Sequence, residues 1–189
     1  MEIKIINFTK EYILQVERFA DKHIGKNYYS PEQLEEIIEK SILGANNCSF
    51  LIFKDGELKG IRLSYMPGKW RSVKGTNGLT PNSWNGLKIE ELGYFQSLFL
   101  HPDLMNQSWG PVLSNLSIDQ MRQAGAKGII THSWLESPNN SSRKYLEKIG
   151  FKLIKKHKLY WIKVDYECTR CGKPCVCTAG EMLKILEET

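Results

Sequence analysis

The stretch SLFLHPDLMNQSWGPVL, residues 97–113, decides how this chain folds. It begins inside a nearly continuous apolar segment, LGYFQSLFL at 92–100, which is typical of a strand in the middle of a sheet. A His-Pro pair and a short polar turn follow, and the spacing of Leu113 and Leu116 then indicates a helix. A turn that ends at a helix N-terminus presents free backbone N–H groups and a positive dipole end, which suits a pyrophosphate. By itself the stretch is equally compatible with a plain strand-turn-helix connection.

A second stretch, ESPNNSSRKYLEKIGF at 136–151, supports the anion site. It resembles the GNAT N-acetyltransferase signature, in which an Asn opens a helix that ends in Glu-Lys-x-Gly-Phe. In the first stretch, Leu100 and Pro102 match the strand end before the family's cofactor loop, and Gly110 matches the last glycine of that loop. The positions that match the helix signature are Asn139, Glu147, Lys148, Gly150 and Phe151.

The resemblance implies an α+β (mixed α/β) fold over residues 1–164. Its mostly antiparallel central sheet is flanked by helices, and its central strands, 92–100 and 128–134, splay apart. The hydrophobic periodicity agrees with that fold, because it predicts the order β-α-α-β-β-β-α-β-α-β-β. The last two strands of this order are FKLIKK and KLYWIKV, which end at Val164. Residues 165–189 are then expected to be a separate Cys-rich extension.

The resemblance also implies that acetyl-CoA is the co-substrate and lies in the splay. Its pyrophosphate would meet backbone N–H groups between Gln107 and Val112, and Asn139 would contact the pantetheine arm. The family loop usually opens with Arg or Gln and carries an extra glycine, where this chain has Met105 and Ser108. The expected cofactor-binding residues are Leu98, Phe99, Leu100, Gln107, Ser108, Trp109, Gly110, Val112 and Asn139.

The implied activity is direct transfer of an acetyl group from acetyl-CoA to a primary amine of a small molecule or a protein. Relatives often place a Tyr, as general acid, immediately before the Glu-Lys-x-Gly-Phe run. Here that place holds Leu146, and Tyr145 stands one residue earlier, which is about 100° of rotation on a helix. Tyr145 is therefore a candidate acid, with packing in the core as the alternative.

The general base is less clearly marked. Relatives often carry Glu at the position of Gln96, and an amide cannot take a proton at neutral pH. Glu90, Glu91 and Glu136 are candidate bases because they lie at the ends of strands that flank the splay. The alternative is that water relays the proton. These departures favour a rival hypothesis, a non-catalytic acyl-CoA-binding or metal-sensing module on the same fold.

The segment CTRCGKPCVC supplies four soft ligands, Cys168, Cys171, Cys175 and Cys177. Its first half resembles a zinc-ribbon knuckle, so structural zinc is one hypothesis. Free thiols, a disulfide formed on oxidation, or a cluster completed by another chain are the alternatives. The glycine-rich loop 67–90 contains Trp70 and Trp84, which could line a substrate pocket or simply pack on the sheet.

Composition limits the remaining partners. The formal net charge is +5, but the basic residues are scattered, which disfavours nucleic acid and is compatible with a phosphorylated cofactor. We expect no membrane segment, because no apolar run approaches about 18 residues, and the N-terminal stretch lacks the pattern of a secretory signal. A cytoplasmic location is therefore expected, and the resemblance leaves a homodimer open.

Overall fold

The computed structural model describes residues 2–72, 74–76 and 78–187. In chain order the strands are β1 (Ile3–Asn7), β2 (Gly25–Lys26), β3 (Ile42–Leu43), β4 (Asn46–Asn47), β5 (Phe50–Lys54), β6 (Glu57–Tyr65), β7 (Leu92–Leu100), β8 (Gly128–Trp134), β9 (Lys152–His157), β10 (Glu167–Cys168) and β11 (Ala179–Ile185). The helices are α1 (Ile13–His23), α2 (Pro31–Lys40), α3 (Trp109–Gln123) and α4 (Ser141–Lys148). Among the described residues, no helix is both long and apolar enough to cross a bilayer.

Seven strands form the central sheet, in the order β1-β5-β6-β7-β8-β11-β9. Every neighbouring pair is antiparallel except β7 and β8, which are parallel. The parallel pairing begins at Leu92–Gly128 and stops at Phe95–Thr131, after which the two strands separate. The prediction of a mixed, mostly antiparallel sheet with splayed central strands and flanking helices is therefore confirmed.

Local sequence explains several of these elements. Ser30 caps α2 by accepting from the Gln33 N–H, and the Gln33 side chain accepts from the Ser30 N–H. Asp55 and Gly56, both with positive φ, form the two-residue turn that joins β5 to β6. Both features depend only on residues that are neighbours in the sequence.

The last strand is where the prediction is wrong. Residues 158–164, expected as a strand, form turns, because Leu159 has a φ of 55° and Tyr160 and Trp161 turn into the core. The strand that completes the sheet is β11, which lies between β8 and β9. The Cys-rich segment is thus a connection between β9 and β11, and the division of the chain at residue 165 does not match the sheet.

The sheet separates two hydrophobic layers. One layer, on the α1 and α2 side, contains much of the aromatic core and the buried sulfurs of the Cys-rich segment. The other layer packs α3 and α4 against the opposite face of the sheet, around residues such as Phe95 and Leu113.

The loop 67–90 is held on the first layer by two buried polar groups. Glu181 accepts from the Thr80 backbone N–H at 2.9 Å and from the Trp84 indole N–H at 2.8 Å, and His132 bonds to the Gly78 carbonyl through Nε2. Trp70 and Trp84 are at most 1% exposed, so these two tryptophans pack on the sheet and do not line an open pocket.

Candidate active site

The splay leaves one edge of β7 open. Residues 98–100 pair on one side with β6, where Leu98 lies opposite Arg62, and no described strand pairs with their other side. The fork is closed by the Thr131 hydroxyl, which donates to the Phe95 carbonyl at 2.9 Å. Gln96 is the extra residue of a bulge that follows immediately. The predicted backbone partners Leu98, Phe99 and Leu100 therefore lie on an unpaired strand edge.

The start of α3 follows the end of β7 after a short turn. Ser108 stands immediately before α3, makes no side-chain capping bond, and has a φ of 63°, the left-handed conformation for which the family loop has a glycine. Trp109 and Gly110 are the first residues of α3, so their N–H groups have no partner within the helix, and Pro111 has no N–H. The Val112 N–H donates to the Ser108 carbonyl at 3.2 Å. Val112 is therefore a helix residue whose N–H already has a partner, and its contact with a cofactor stays a prediction.

Gly110 lies in close packing between α3, β7 and α4. A Cβ at this position would lie 3.4 Å from side-chain atoms of Leu98 and Tyr145, which is a close but ordinary contact. The residue is buried at the start of α3.

A buried positive charge lies under the start of α3. Arg62 is 2% exposed, stacks over the Phe95 ring at 4.0 Å and has no carboxylate partner among the described residues. Burial lowers the pKa of its guanidinium from the usual value. An uncompensated buried cation is costly, so this position favours an anion nearby.

The same arginine starts a chain of hydrogen bonds that runs from β6 through α3 to α4. Arg62 donates to the Ser114 hydroxyl at 2.8 Å, and Ser114 in turn contacts the Tyr145 hydroxyl. Tyr145 donates to the Gly110 carbonyl at 3.2 Å. The Tyr145 hydroxyl also reaches Ser114 as a donor, so its one proton has two acceptors inside the protein. Tyr145 therefore bridges α4 to α3 in the structure.

A cleft of about 220 Å³ opens on the opposite face of the sheet, between α2 and the loop 67–90. Tyr29 forms one wall, and its hydroxyl is 2.7 Å from the Ser97 hydroxyl on β7. Lys74 lies over the rings of Tyr28 and Tyr29, and burial lowers the pKa of its amine to about 8. The polar residues that line the cleft are Tyr29, Gln33, Glu36, Lys40, Tyr65, Ser72, Lys74 and Gln96.

No family model and no curated protein matches the sequence. Solved structures do match along nearly the whole chain. The ribosomal-protein-S18-alanine N-acetyltransferase of Escherichia coli superposes with a TM-score of 0.67 at 11% identity, over 100% of this chain and 96% of that one. The NatC complex bound to Gag peptide and CoA gives a TM-score of 0.70 at 14% identity, over 99% of this chain and 100% of that one.

A putative acetyltransferase of Salmonella typhimurium, solved with acetyl-CoA, gives a TM-score of 0.65 at 16% identity, over 99% and 95% of the two chains. The chain has the GNAT acetyltransferase fold. In the GNAT fold of this protein, the open edge of β7 and the start of α3 lie on one side of the splay, and the cleft lies on the other.

Two of the three predicted carboxylates, Glu91 and Glu136, have different positions in the GNAT fold. Glu91 precedes β7, at the end where β7 and β8 are still paired, and forms an ion pair with Lys127 at 2.8 Å. Glu91 therefore lies at the paired end of the two strands, away from the splay, and its catalytic role stays a prediction. Glu136 follows β8 at the splayed end, where its carboxylate accepts from the Thr178 N–H at 2.9 Å.

Three buried polar atoms around the splay have no hydrogen-bond partner in the described structure: Gln96 Oε1, Trp134 Nε1 and Asn140 Oδ1. Asn139 and Asn140 both have a φ of 54°, but Asn139 is exposed. Asn140 is thus the better-placed asparagine for contact with a bound molecule. The sequence could not show which of the two asparagines has the more buried side chain, because they are adjacent and adopt the same backbone conformation in the structure.

The four cysteines of the Cys-rich segment come together, with all sulfurs within 4.8 Å of one another. They lie beneath β2 and β10, which pair on the α1 side of the sheet. The structure therefore gathers the residues that were predicted as metal ligands. Arg62 and Lys74, in contrast, were missed, because neither belongs to a local motif.

Proposed function

We propose that the protein is an acetyl-CoA-dependent N-acetyltransferase that acts on a primary amine of a small molecule or a protein. The observation that carries this proposal is the open edge of β7 beside the uncapped start of α3, with Arg62 buried beneath it. Unpaired strand groups suit the amides of a pantetheine arm, and free helix N–H groups above a cation suit a pyrophosphate.

The residues present fit the co-substrate. The edge at Leu98–Leu100 would hold the pantetheine, and the N–H groups at Gln107–Gly110 would hold the pyrophosphate. Asn140, or Asn139 as first predicted, would contact the arm where α4 begins. When bound, acetyl-CoA supplies an acetyl group already activated as a thioester.

The acceptor amine would enter through the cleft on the other face, where Gln96 and Tyr29 border the fork. Its nitrogen attacks the thioester carbon, a C–N bond forms and the C–S bond breaks. The amine loses a proton and the thiolate gains one, so no covalent enzyme intermediate is needed. Lys74, with a pKa of about 8, and Glu136, at the splayed end of β8, can take the proton directly or through water.

The role of Tyr145 is tested by Tyr145→Phe. Because the tyrosine hydroxyl is bonded inside the protein to Ser114 and to the Gly110 carbonyl, we expect turnover to change by less than about threefold and stability to fall by about 1 kcal/mol. Steady-state kinetics and urea unfolding measure the two effects. A loss of about 10²–10⁴-fold in turnover with unchanged acetyl-CoA affinity would instead make Tyr145 the general acid.

One observation favours a second candidate function, a non-catalytic acyl-CoA-binding module. The bulge residue that borders the fork is Gln96, which cannot accept a proton, and Tyr145 is engaged elsewhere. Such a module would bind CoA thioesters without consuming them.

A two-step experiment separates these functions. Acetyl-CoA at about a hundred times its dissociation constant should stabilise the fold by about 2.7 kcal/mol, seen as a rise in Tm. A panel of small amines and peptides is then incubated with acetyl-CoA, and free thiol release is followed. Acceptor-dependent release supports the transferase, and binding without release supports the module. No thermal shift at millimolar acetyl-CoA would overturn both.

A further inference from the structure

The Cys-rich segment has a core made almost entirely of sulfur. Between residues 165 and 178, the buried members of the hydrophobic layer are Tyr166, Cys168, Cys175 and Cys177, with Cys171 partly buried beside them. Val176, a further large apolar residue of the segment, is 50% exposed. So little apolar burial cannot order the segment against its loss of conformational entropy, which indicates that something else holds it.

The sulfur geometry matches a tetrahedral metal centre. The four Sγ atoms lie within 4.8 Å of one another, and those of Cys171 and Cys177 are 3.7 Å apart. A disulfide would need about 2.05 Å. Zinc–sulfur bonds of about 2.3 Å at tetrahedral angles place neighbouring sulfurs about 3.8 Å apart. All five cysteines of the chain are free thiols in the structure.

The backbone around the first two cysteines forms a closed turn. Cys168 and Gly172 exchange two backbone hydrogen bonds, at 3.1 and 2.9 Å, so the chain reverses between Cys168 and Cys171. Gly172 has a φ of 73°, which a glycine adopts without strain. This turn directs both thiols to the same side, toward Cys175 and Cys177.

A second group in the described chain, His132, His157 and Glu181, also has its ligand atoms within 4.8 Å. Its atoms are already used, because Glu181 accepts from Thr80, Trp84 and His157, and His132 bonds to Tyr94 and Gly78. The cysteines therefore form the better metal site, and thiolates select zinc or iron over harder ions.

The Cys-rich segment is attached to one wall of the cleft. Strand β10 pairs with β2, and the Thr169 hydroxyl donates to the Ile24 carbonyl at 3.3 Å. Gly25 fits only because it lacks a side chain, since a Cβ there would lie 2.2 Å from the Glu167 carbonyl oxygen. The ring of Tyr166 packs on Tyr28 at 4.8 Å, and Tyr28 packs on Tyr29 at the same distance.

We propose that Cys168, Cys171, Cys175 and Cys177 bind one zinc ion, and that this ion fixes residues 24–29, including the cleft residue Tyr29. The assignment of the zinc site depends only on the cysteine geometry. The statement that the zinc shapes an acceptor site rests on the proposed function.

Metal content tests the site. Protein purified with reductant, without a metal-affinity step, should contain about one zinc per chain. Cys171→Ser/Cys177→Ser should contain almost none. Cys48→Ala, which removes the thiol on the other face of the sheet, should keep its zinc. If the double variant does not fold, Co²⁺ exchanged into wild type should give the intense visible absorption of a tetrahedral thiolate site. Metal-free wild type, or iron in place of zinc, would overturn the assignment.

Hydrogen exchange tests the link to the cleft. Removal of zinc by a chelator under reducing conditions should speed exchange at least about tenfold in peptides covering 24–29 and 165–178. Peptides from β7 and α3 should keep their protection, and CoA affinity should stay within about twofold, because the start of α3 lies on the other face. Unchanged exchange at 24–29 would refute the link. A failure of CoA to bind in either form would refute the proposed function and leave the zinc result standing.

Discussion

At the scale of single residues, Ser108 is the most informative position. It occupies a left-handed conformation directly before the free N–H groups of α3. Asp and Asn both tolerate this conformation, so Ser108→Asp and Ser108→Asn differ mainly in charge. A carboxylate about 6 Å from a pyrophosphate costs about 1–3 kcal/mol, so Ser108→Asp should weaken CoA binding about 5- to 100-fold.

The Asn variant is the matched control and should bind CoA within about twofold of wild type. Isothermal titration calorimetry gives both dissociation constants. Added salt should reduce the difference in CoA affinity between the Asp and Asn variants, because it screens exposed charges. Equal affinities in low salt would place the pyrophosphate away from the start of α3.

At the scale of elements, β11 holds the loop 67–90 through one carboxylate. Burial alone would raise the pKa of Glu181, but hydrogen bonds from Thr80, His157 and Trp84 outweigh it and lower the pKa. Glu181→Gln turns an amide N–H₂ toward these donors and removes the charge. We expect a loss of about 2–4 kcal/mol in the free energy of unfolding, measured in urea.

Glu187→Gln, at an exposed position just after β11, is the control for Glu181→Gln and should change stability by less than about 0.5 kcal/mol. Limited proteolysis should cut the Glu181→Gln variant first within 67–90, since that loop loses its anchor. An intact loop together with full stability would show that the remaining packing of Trp70 and Trp84 holds it.

At the scale of the whole molecule, stability should fall in mild acid. Burial lowers the pKa of His132 to about 4, whereas an unfolded histidine titrates near about 6.5. The unfolded chain therefore binds more protons between these values, and the free energy of unfolding decreases as pH falls through this window. The slope is at most about 1.4 kcal/mol per pH unit for one proton. Glu181 acts in the same direction, because its pKa is lowered in the folded state and its contribution to stability is lost as pH falls from the unfolded pKa through the lowered one.

His132→Gln tests this pH dependence, because glutamine can still donate to Gly78 and accept from Tyr94 but does not titrate. Its stability, measured by thermal melts from pH 7 to pH 4, should depend less on pH than that of wild type. Parallel curves for the two proteins would assign the acid sensitivity to other groups.

The sequence predicts most of the fold because its signals are local. The capping box at Ser30, the Asp55-Gly56 turn and the apolar run of β7 each depend on a few neighbouring residues. β11 was missed for a nonlocal reason. Its buried Glu181 breaks the apolar alternation, and the polar partners that permit this burial lie about 25 to 100 residues away.

The same distinction applies to the candidate site. Residues 98–100 and 108–110 could be predicted, because one continuous strand-turn-helix stretch contains them. Arg62 comes from the neighbouring strand and Lys74 from the long loop, so only the folded sheet brings them to the site. The position of Glu91 relative to the splay could not be predicted, because the sequence shows that a strand begins nearby but not which end of that strand separates from its neighbour.

The position of β11 has a consequence for protein synthesis. Ribosomes make the chain from its N-terminus, so β8 and β9 both leave the ribosome before the strand that lies between them. Until translation passes residue 185, each presents an unpaired edge, and unpaired edges promote association between chains. A ribosome that stalls after the cysteines would therefore hold a nascent chain in which the sheet is split and β9 has no partner. This protein must therefore complete its sheet late in synthesis. Chaperones that shield strand edges would act on it at that stage.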